Sequence, residues 1–258
     1  MGDERDKAIR LLCALRADGD ELFQLVRDSD PEVLLNLLKN PGVGEEHLLV
    51  LLKRRDLPEG LLKAIDQRTR EKAGHRLQLA LARNPNTPAA TVLRLLPHLY
   101  LFELLDLCTL PGPTPDQRLA AERQIILRLP GEELGNKLSL ARRATSTILQ
   151  ALIRDGDPRL VQACLDNPRL KEVALLQFLR SGKANAESIS QIARHPRWQQ
   201  RRQLRLAILK CPKTPAVWYT LWLPRLKSGD LRALAAQRNL PVRQKELLKA
   251  EMKKRGLG

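Results

Sequence analysis

The feature that most constrains this chain is a fixed offset at which it resembles itself. Asp28-Ser29-Asp30-Pro31 is followed ten residues later by Asn40-Pro41, and Asp155-Gly156-Asp157-Pro158 is followed at the same spacing by Asn167-Pro168. The step that takes Pro41 to Pro168 then recurs along the chain. It carries Pro85, Thr87, Pro88 and Ala89 onto Pro212, Thr214, Pro215 and Ala216, and Leu96-Pro97 onto Leu223-Pro224. It also superposes Leu22, Leu25 and Arg27 on Leu149, Leu152 and Arg154, and Leu48, Leu49 and Leu52 on Leu175, Leu176 and Leu179. No gap is needed between about residue 22 and residue 107. The expectation is a tandem duplication, with residues 1–127 and 128–258 as homologous halves of a single α-solenoid spanning 1–258.

Each half carries a finer period. Pro41 stands as far from Pro85 as Pro168 does from Pro212. That distance of about 44 residues suits a pair or trio of stacked helices of the HEAT or armadillo kind. Leucine and alanine with Lys, Arg and Glu are good helix formers, and β-branched runs are scarce, so strands are not expected. Asp30, Thr87, Thr114, Asp157 and Thr214 each precede a proline. That pattern predicts a side-chain cap at the N-cap and proline in the first turn. Thr114-Pro115-Asp116-Gln117 adds capping-box spacing. Asn40, Asn84 and Asn167, also before prolines, are expected at the end of the preceding helix. Short helices closed at both ends predict an all-α, right-handed α-solenoid.

Asn84-Pro85-Asn86-Thr87-Pro88, with its degenerate copies Asn167-Pro168-Arg169-Leu170 and Cys211-Pro212-Lys213-Thr214-Pro215, resembles the leucine-rich repeat variant pattern, a HEAT-like family. The resemblance touches both halves through a short motif. It implies an architecture and no particular activity, because such folds host many functions.

Two copies under one fold requirement let each serve as a control for the other. Residues 1–127 contain 18 Lys+Arg and 19 Asp+Glu, whereas residues 128–258 contain 27 and 10. From residue 190 onward there are 17 basic residues and three acidic ones, Asp230, Glu246 and Glu251. The aromatics follow the charge: Trp198, Trp218, Tyr219 and Trp222 stand where the first half has Glu71, Thr91, Val92 and Leu95. With Leu204, Ala207 and Ile208 as the buried stripe of a helix starting near Pro196, Trp198, Arg201, Arg202 and Arg205 fall on one flank. Rings among guanidiniums suit phosphate contact and stacking. The candidate binding residues are therefore Trp198, Arg201, Arg202, Arg205, Lys210, Lys213, Trp218 and Tyr219, while Trp222, replacing a leucine, reads as packing.

Catalytic signals are missing. His47, His75, His98 and His195 stand singly, and there is no phosphate-binding glycine loop or nucleophile elbow. No cofactor or metal is expected. Cys13, Cys108, Cys164 and Cys211 lie far apart, which fits reduced thiols of a cytoplasmic protein. No apolar run reaches the roughly 18 residues a membrane span needs. The leading expectation is a non-catalytic scaffold for an acidic partner protein or assembly. The alternative is sequence-nonspecific binding of DNA or RNA by the basic half. A more remote one is the DNA glycosylase activity of some HEAT-like solenoids, which would need a carboxylate in the basic groove. Asp230 is the sole aspartate there, and its counterpart Glu103 points instead to a structural acid.

Overall fold

A computed structural model describes residues 2–70, 74–237 and 239–257. Among them are 18 α-helices and no strand. The helices fall into two compact units, Met1–Leu127 and Arg128–Gly258. The first contains α1 (Gly2–Arg16), α2 (Gly19–Leu25), α3 (Pro31–Leu37), α4 (Glu45–Leu51), α5 (Glu59–Thr69), α6 (His75–Arg83), α7 (Ala89–Leu95), α8 (Leu101–Thr109) and α9 (Pro115–Arg128). The second contains α10 (Leu134–Arg143), α11 (Ser146–Ile153), α12 (Pro158–Leu165), α13 (Glu172–Arg180), α14 (Ala186–Arg194), α15 (Arg202–Lys210), α16 (Ala216–Trp222), α17 (Ser228–Ala235) and α18 (Val242–Lys254). The step that takes Pro41 to Pro168 also takes the first residue of each helix from α2 to α9 to the first residue of one from α11 to α18.

Within each unit, helices two apart in the chain lie side by side. In the first, α1 packs on α3 and α3 on α5, while α2 packs on α4 and α4 on α6. In the second, α10, α12 and α14 pack in succession, as do α11, α13, α15 and α17. Two rows of short helices share one apolar seam, the packing expected of a helical repeat. The seam is mostly leucine at helical spacing: α12 buries Leu160, Val161, Cys164 and Leu165 and turns Arg159 and Gln162 outward. Each such side chain contributes about 1.5–3 kcal/mol by leaving water.

The helices are kept short by their ends, partly as the sequence predicts. The Asp30 carboxylate accepts from the Glu32 amide at 2.9 Å and that of Asp157 from the Arg159 amide at 2.8 Å, each with proline next in the first turn. At the start of α9, the Gln117 amide donates to Thr114 Oγ1 (3.2 Å) and the Thr114 amide to Gln117 Oε1 (2.7 Å), a complete capping box. Thr87 and Thr214 differ. Both are buried, and their hydroxyls donate backwards to the carbonyls of Leu81 (2.6 Å) and Ile208 (2.5 Å). They close the preceding helix, because the prolines that follow occupy the N-cap positions of α7 and α16.

The asparagines before proline do more than end a helix. Asn40 Nδ2 donates to the carbonyls of Ala14 and Ala17 at 3.0 and 2.9 Å, tying the end of α3 to the end of α1. Asn84 does the same from α6 to the carbonyls of Leu52 and Arg54, at 3.0 and 2.7 Å. Asn167 reaches back from α12 to Ala141 and Ala144, at 2.7 and 3.5 Å. In each case Oδ1 accepts the amide two residues on, at Gly42, Asn86 or Arg169. Carbonyls at helix ends have no intrahelical partner, so these buried amides satisfy them while fixing one repeat against the last. Asn is suited to this because one short side chain carries donors and an acceptor together.

The four cysteines divide by environment. Cys13 is exposed, whereas Cys108, Cys164 and Cys211 are buried. Burial pushes the thiols of Cys108 and Cys164 up to about 12. Since the thiolate is the reactive form, a thiol reagent at pH 8 is expected to label one cysteine rapidly in the folded protein. Cys13→Ser removes that fast phase; survival of the phase would show that a buried thiol opens readily.

No helix among the described residues is long and apolar enough to cross a membrane.

Candidate binding surface

The helix assumed to hold Trp198 starts later than the sequence suggested. α15 begins at Arg202, so Trp198 and Arg201 lie in the turn leading into it, and the flank drawn from Pro196 does not exist as one helical face. Trp198 is 3% exposed. The Arg197 guanidinium stands 4.4 Å from the centre of its ring. Arg197 is itself committed to backbone, donating to the carbonyls of Asn167, Pro168 and Leu170 at 3.0, 2.9 and 2.9 Å. Arg68 plays this part in the first unit, donating to the carbonyls of Leu38, Asn40 and Val43.

The other aromatic candidates are also interior. Trp218 is 7% exposed, donates Nε1–H to Ser190 Oγ at 3.1 Å, and lies 5.1 Å from Trp222 between ring centres. Tyr219 is fully buried, with its hydroxyl donating to the Leu209 carbonyl, and burial raises its phenol above the usual range. A buried ring cannot stack on a base, so Trp198, Trp218 and Tyr219 offer packing area rather than a contact surface. The reading of Trp222 as packing agrees with its 7% exposure.

The cations have more varied fates. Arg202 holds both oxygens of Asp230, with contacts of 2.8, 3.0 and 3.2 Å. His75 and Glu103, at the matching positions of the first unit, make the corresponding pair at 2.7 Å. Asp230 thus locks the start of α17 to the start of α15 in the way Glu103 locks α8 to α6. Arg205 donates through Nη2 to the Gln200 carbonyl at 3.1 Å, and its Nε is buried without a hydrogen-bond partner. Arg201 and Lys210 are exposed. Lys213 Nζ donates to the Gly182 carbonyl at 2.7 Å, the bond that Asn86 makes to the Arg55 carbonyl in the first unit.

Two of the candidates, Lys210 and Lys213, do come together, in company the sequence did not indicate. They rim a groove of about 400 Å³ between α13 and α15, with Arg180 as a third cation and Leu176, Leu179, Leu206 and Ala207 forming its apolar floor. No carboxylate lines it, and no ion pair engages Arg180, Lys210 or Lys213 among the described residues. The first unit has the equivalent groove between α4 and α6, about 530 Å³, floored by Leu49, Leu52, Leu79 and Ala80. There, however, carboxylates oppose much of the rim. Arg76 pairs with Glu46 at 3.0 Å, Arg83 with Asp106 at 3.6 Å and Arg54 with Asp56 at 2.7 Å. In the second unit, Val173 and Ala233 stand at the positions of Glu46 and Asp106.

No protein family's sequence profile matches this chain, and neither a curated protein nor a solved structure does.

What the surface can do follows from its parts. It offers positive charge beside partly exposed aliphatic carbon, with no aromatic ring and no carboxylate among its lining residues. Among the described residues, no group of three His, Cys, Asp or Glu side chains is placed to hold a metal ion. The unopposed charge of Lys210 could have been anticipated only from the replacement of Asp106 by Ala233 while its partner Arg83 is matched by Lys210. Glu46 is lost together with its partner, since Gln203 stands at the position of Arg76.

Proposed function

We propose that this protein is a non-catalytic binding scaffold, built from two copies of one right-handed HEAT-like solenoid unit, that engages an acidic partner protein through its second unit. The observation that carries the reading is the pairing of unopposed cations with an apolar floor between α13 and α15. Nucleic acid needs the cations for its phosphates, but Leu176, Leu179 and Leu206 give a phosphate backbone nothing to hold. An acidic polypeptide uses both. Burial of Trp198, Trp218 and Tyr219 argues in the same direction, because it removes the stacking platform that single-strand binding draws on.

The excess of 27 basic over 10 acidic residues in 128–258 favours the second reading, sequence-nonspecific binding of DNA or RNA through phosphates. A glycosylase reading has less support, since Arg202 occupies both oxygens of Asp230.

Fluorescence anisotropy separates the first two readings. A labelled copolymer of glutamate and leucine is expected to bind the full chain at about 0.15 M salt, where charges beyond roughly 8 Å are screened. Labelled random duplex DNA is expected to bind only at lower salt and to yield to heparin. DNA binding that persists at about 0.15 M salt against heparin, with log K falling by about 0.9 per phosphate neutralised, would replace the scaffold reading with the nucleic-acid one.

A further inference from the structure

We infer that the groove between α13 and α15 is a docking site for a short amphipathic acidic peptide segment of a partner protein. The segment would place aliphatic side chains on Leu176, Leu206 and Ala207 and carboxylates against Arg180, Lys210 and Lys213. This rests on the scaffold reading and names the site and ligand chemistry for it.

Charge complementarity fixes the occupant. The rim carries three cations and the lining no acid, so a basic or neutral segment would leave the cations facing nothing of opposite sign. The Lys213 Nζ donates to the Gly182 carbonyl, a neutral acceptor, and that contact positions it at the rim. The floor calls for carbon: Leu176 and Leu206 are half-buried, retaining apolar surface that a ligand could cover. Val173, 58% exposed one turn before Leu176 on α13, extends the apolar surface of that helix. Peptides that lay an apolar face into a groove between helices are a general mode of recognition, and a polar rim around an apolar centre is the usual anatomy of such a contact.

The first unit supplies an internal comparison. Its groove shares the floor, but Glu46, Asp56 and Asp106 already oppose Arg76, Arg54 and Arg83. An acidic peptide there must displace or tolerate those carboxylates, although Lys53 and Arg55 also line that groove; the second unit's groove differs in having cations and no acid in its lining. Like-charge contact weakens binding and opposite-charge contact strengthens it, most for groups held away from bulk water.

The test uses the full-length protein and two labelled probes: a 14-residue peptide of alternating leucine and glutamate pairs, and the same peptide with every leucine replaced by serine. Lys210→Glu with Lys213→Glu is expected to weaken the leucine peptide by roughly tenfold or more. Arg83→Glu, in the first unit's groove, is expected to leave that affinity within roughly twofold. The serine peptide should bind at least roughly tenfold more weakly than the leucine peptide. Circular dichroism confirms that each variant is folded, and Lys210→Gln gives a milder readout at the rim alone. Equal binding of both peptides, or no effect of either Lys210 substitution, overturns the groove while leaving the scaffold reading intact. Failure of all acidic polypeptides to bind, with duplex DNA retained, overturns both.

Discussion

Trp218→Ala is expected to destabilise the second unit by about 3–5 kcal/mol, the range for deleting a large buried aromatic. The ring is 7% exposed, packs against Trp222, and hydrogen-bonds Ser190 through Nε1. The substitution therefore leaves a cavity and removes the donor to Ser190 Oγ, whose own bond to the Ala186 carbonyl remains. Trp198→Ala should fall in the same range, with loss of the Arg197 stack added to the cavity. Trp198, Trp218 and Trp222 all lie in 128–258, so tryptophan fluorescence in a urea titration follows that unit specifically. Trp222 remains as the reporter in both variants. An unchanged midpoint accompanied by lost binding to an acidic polypeptide would mean that these rings form a contact surface, against the burial described above.

Asn84→Leu is expected to cost about 2–4 kcal/mol, combining three lost hydrogen bonds with the carbonyls left behind. Leucine keeps the branched outline and the number of side-chain heavy atoms while removing the polar atoms, so the loss reads chiefly the amide's role in joining α6 to the end of α4 through the carbonyls of Leu52 and Arg54. Asn167→Leu tests the same joint between α12 and α10. Cys211, at the position in the second unit that matches Asn84, is the built-in control. Cys211→Ala should cost under about 1.5 kcal/mol, because its side chain carries no such bonds. Urea titration followed by circular dichroism measures all three. Equal costs for Asn84→Leu and Cys211→Ala would remove the asparagine joint as a source of stability.

These joints also mark where sequence reasoning stopped. Asn84 and Asn167 were legible as helix ends, since the proline that follows each restricts its backbone away from the helical region. That they reach the previous repeat was not legible, because their partners lie 23 to 32 residues away. Thr87 and Thr214 show the same limit over a shorter span. A threonine before proline can cap forward or bond backward, and only the path of the chain selects the carbonyls of Leu81 and Ile208. The aromatic residues misled for a related reason. Replacement of Thr91 by Trp218 and of Val92 by Tyr219 looks like added surface chemistry in a sequence, yet both rings are core. The first unit has a buried polar arrangement nearby instead, with Asp66 held by Arg70 and Arg94. At the positions of Asp66 and Arg94 the second unit has Ala193 and Leu221. The two units fill their interiors by different means, which comparison of single positions cannot reveal.

What the sequence determined by itself is whatever acts within a few residues of the chain: the helical class, the caps at Asp30, Thr114 and Asp157, the leucine stripes, and the matching order of motifs in its two halves. Helix propensity, capping and periodicity are local quantities, and they survive into the fold because nothing in the packing opposes them. The tertiary structure decided the rest: which cations are spent on carboxylates or carbonyls, which rings are covered, and which two helices leave a groove between them. Arg202 and Asp230 are 28 residues apart, and Lys213 and Gly182 are 31. Their partnership depends on helix rows brought together by apolar burial, a force proportional to area and indifferent to which charges it carries along.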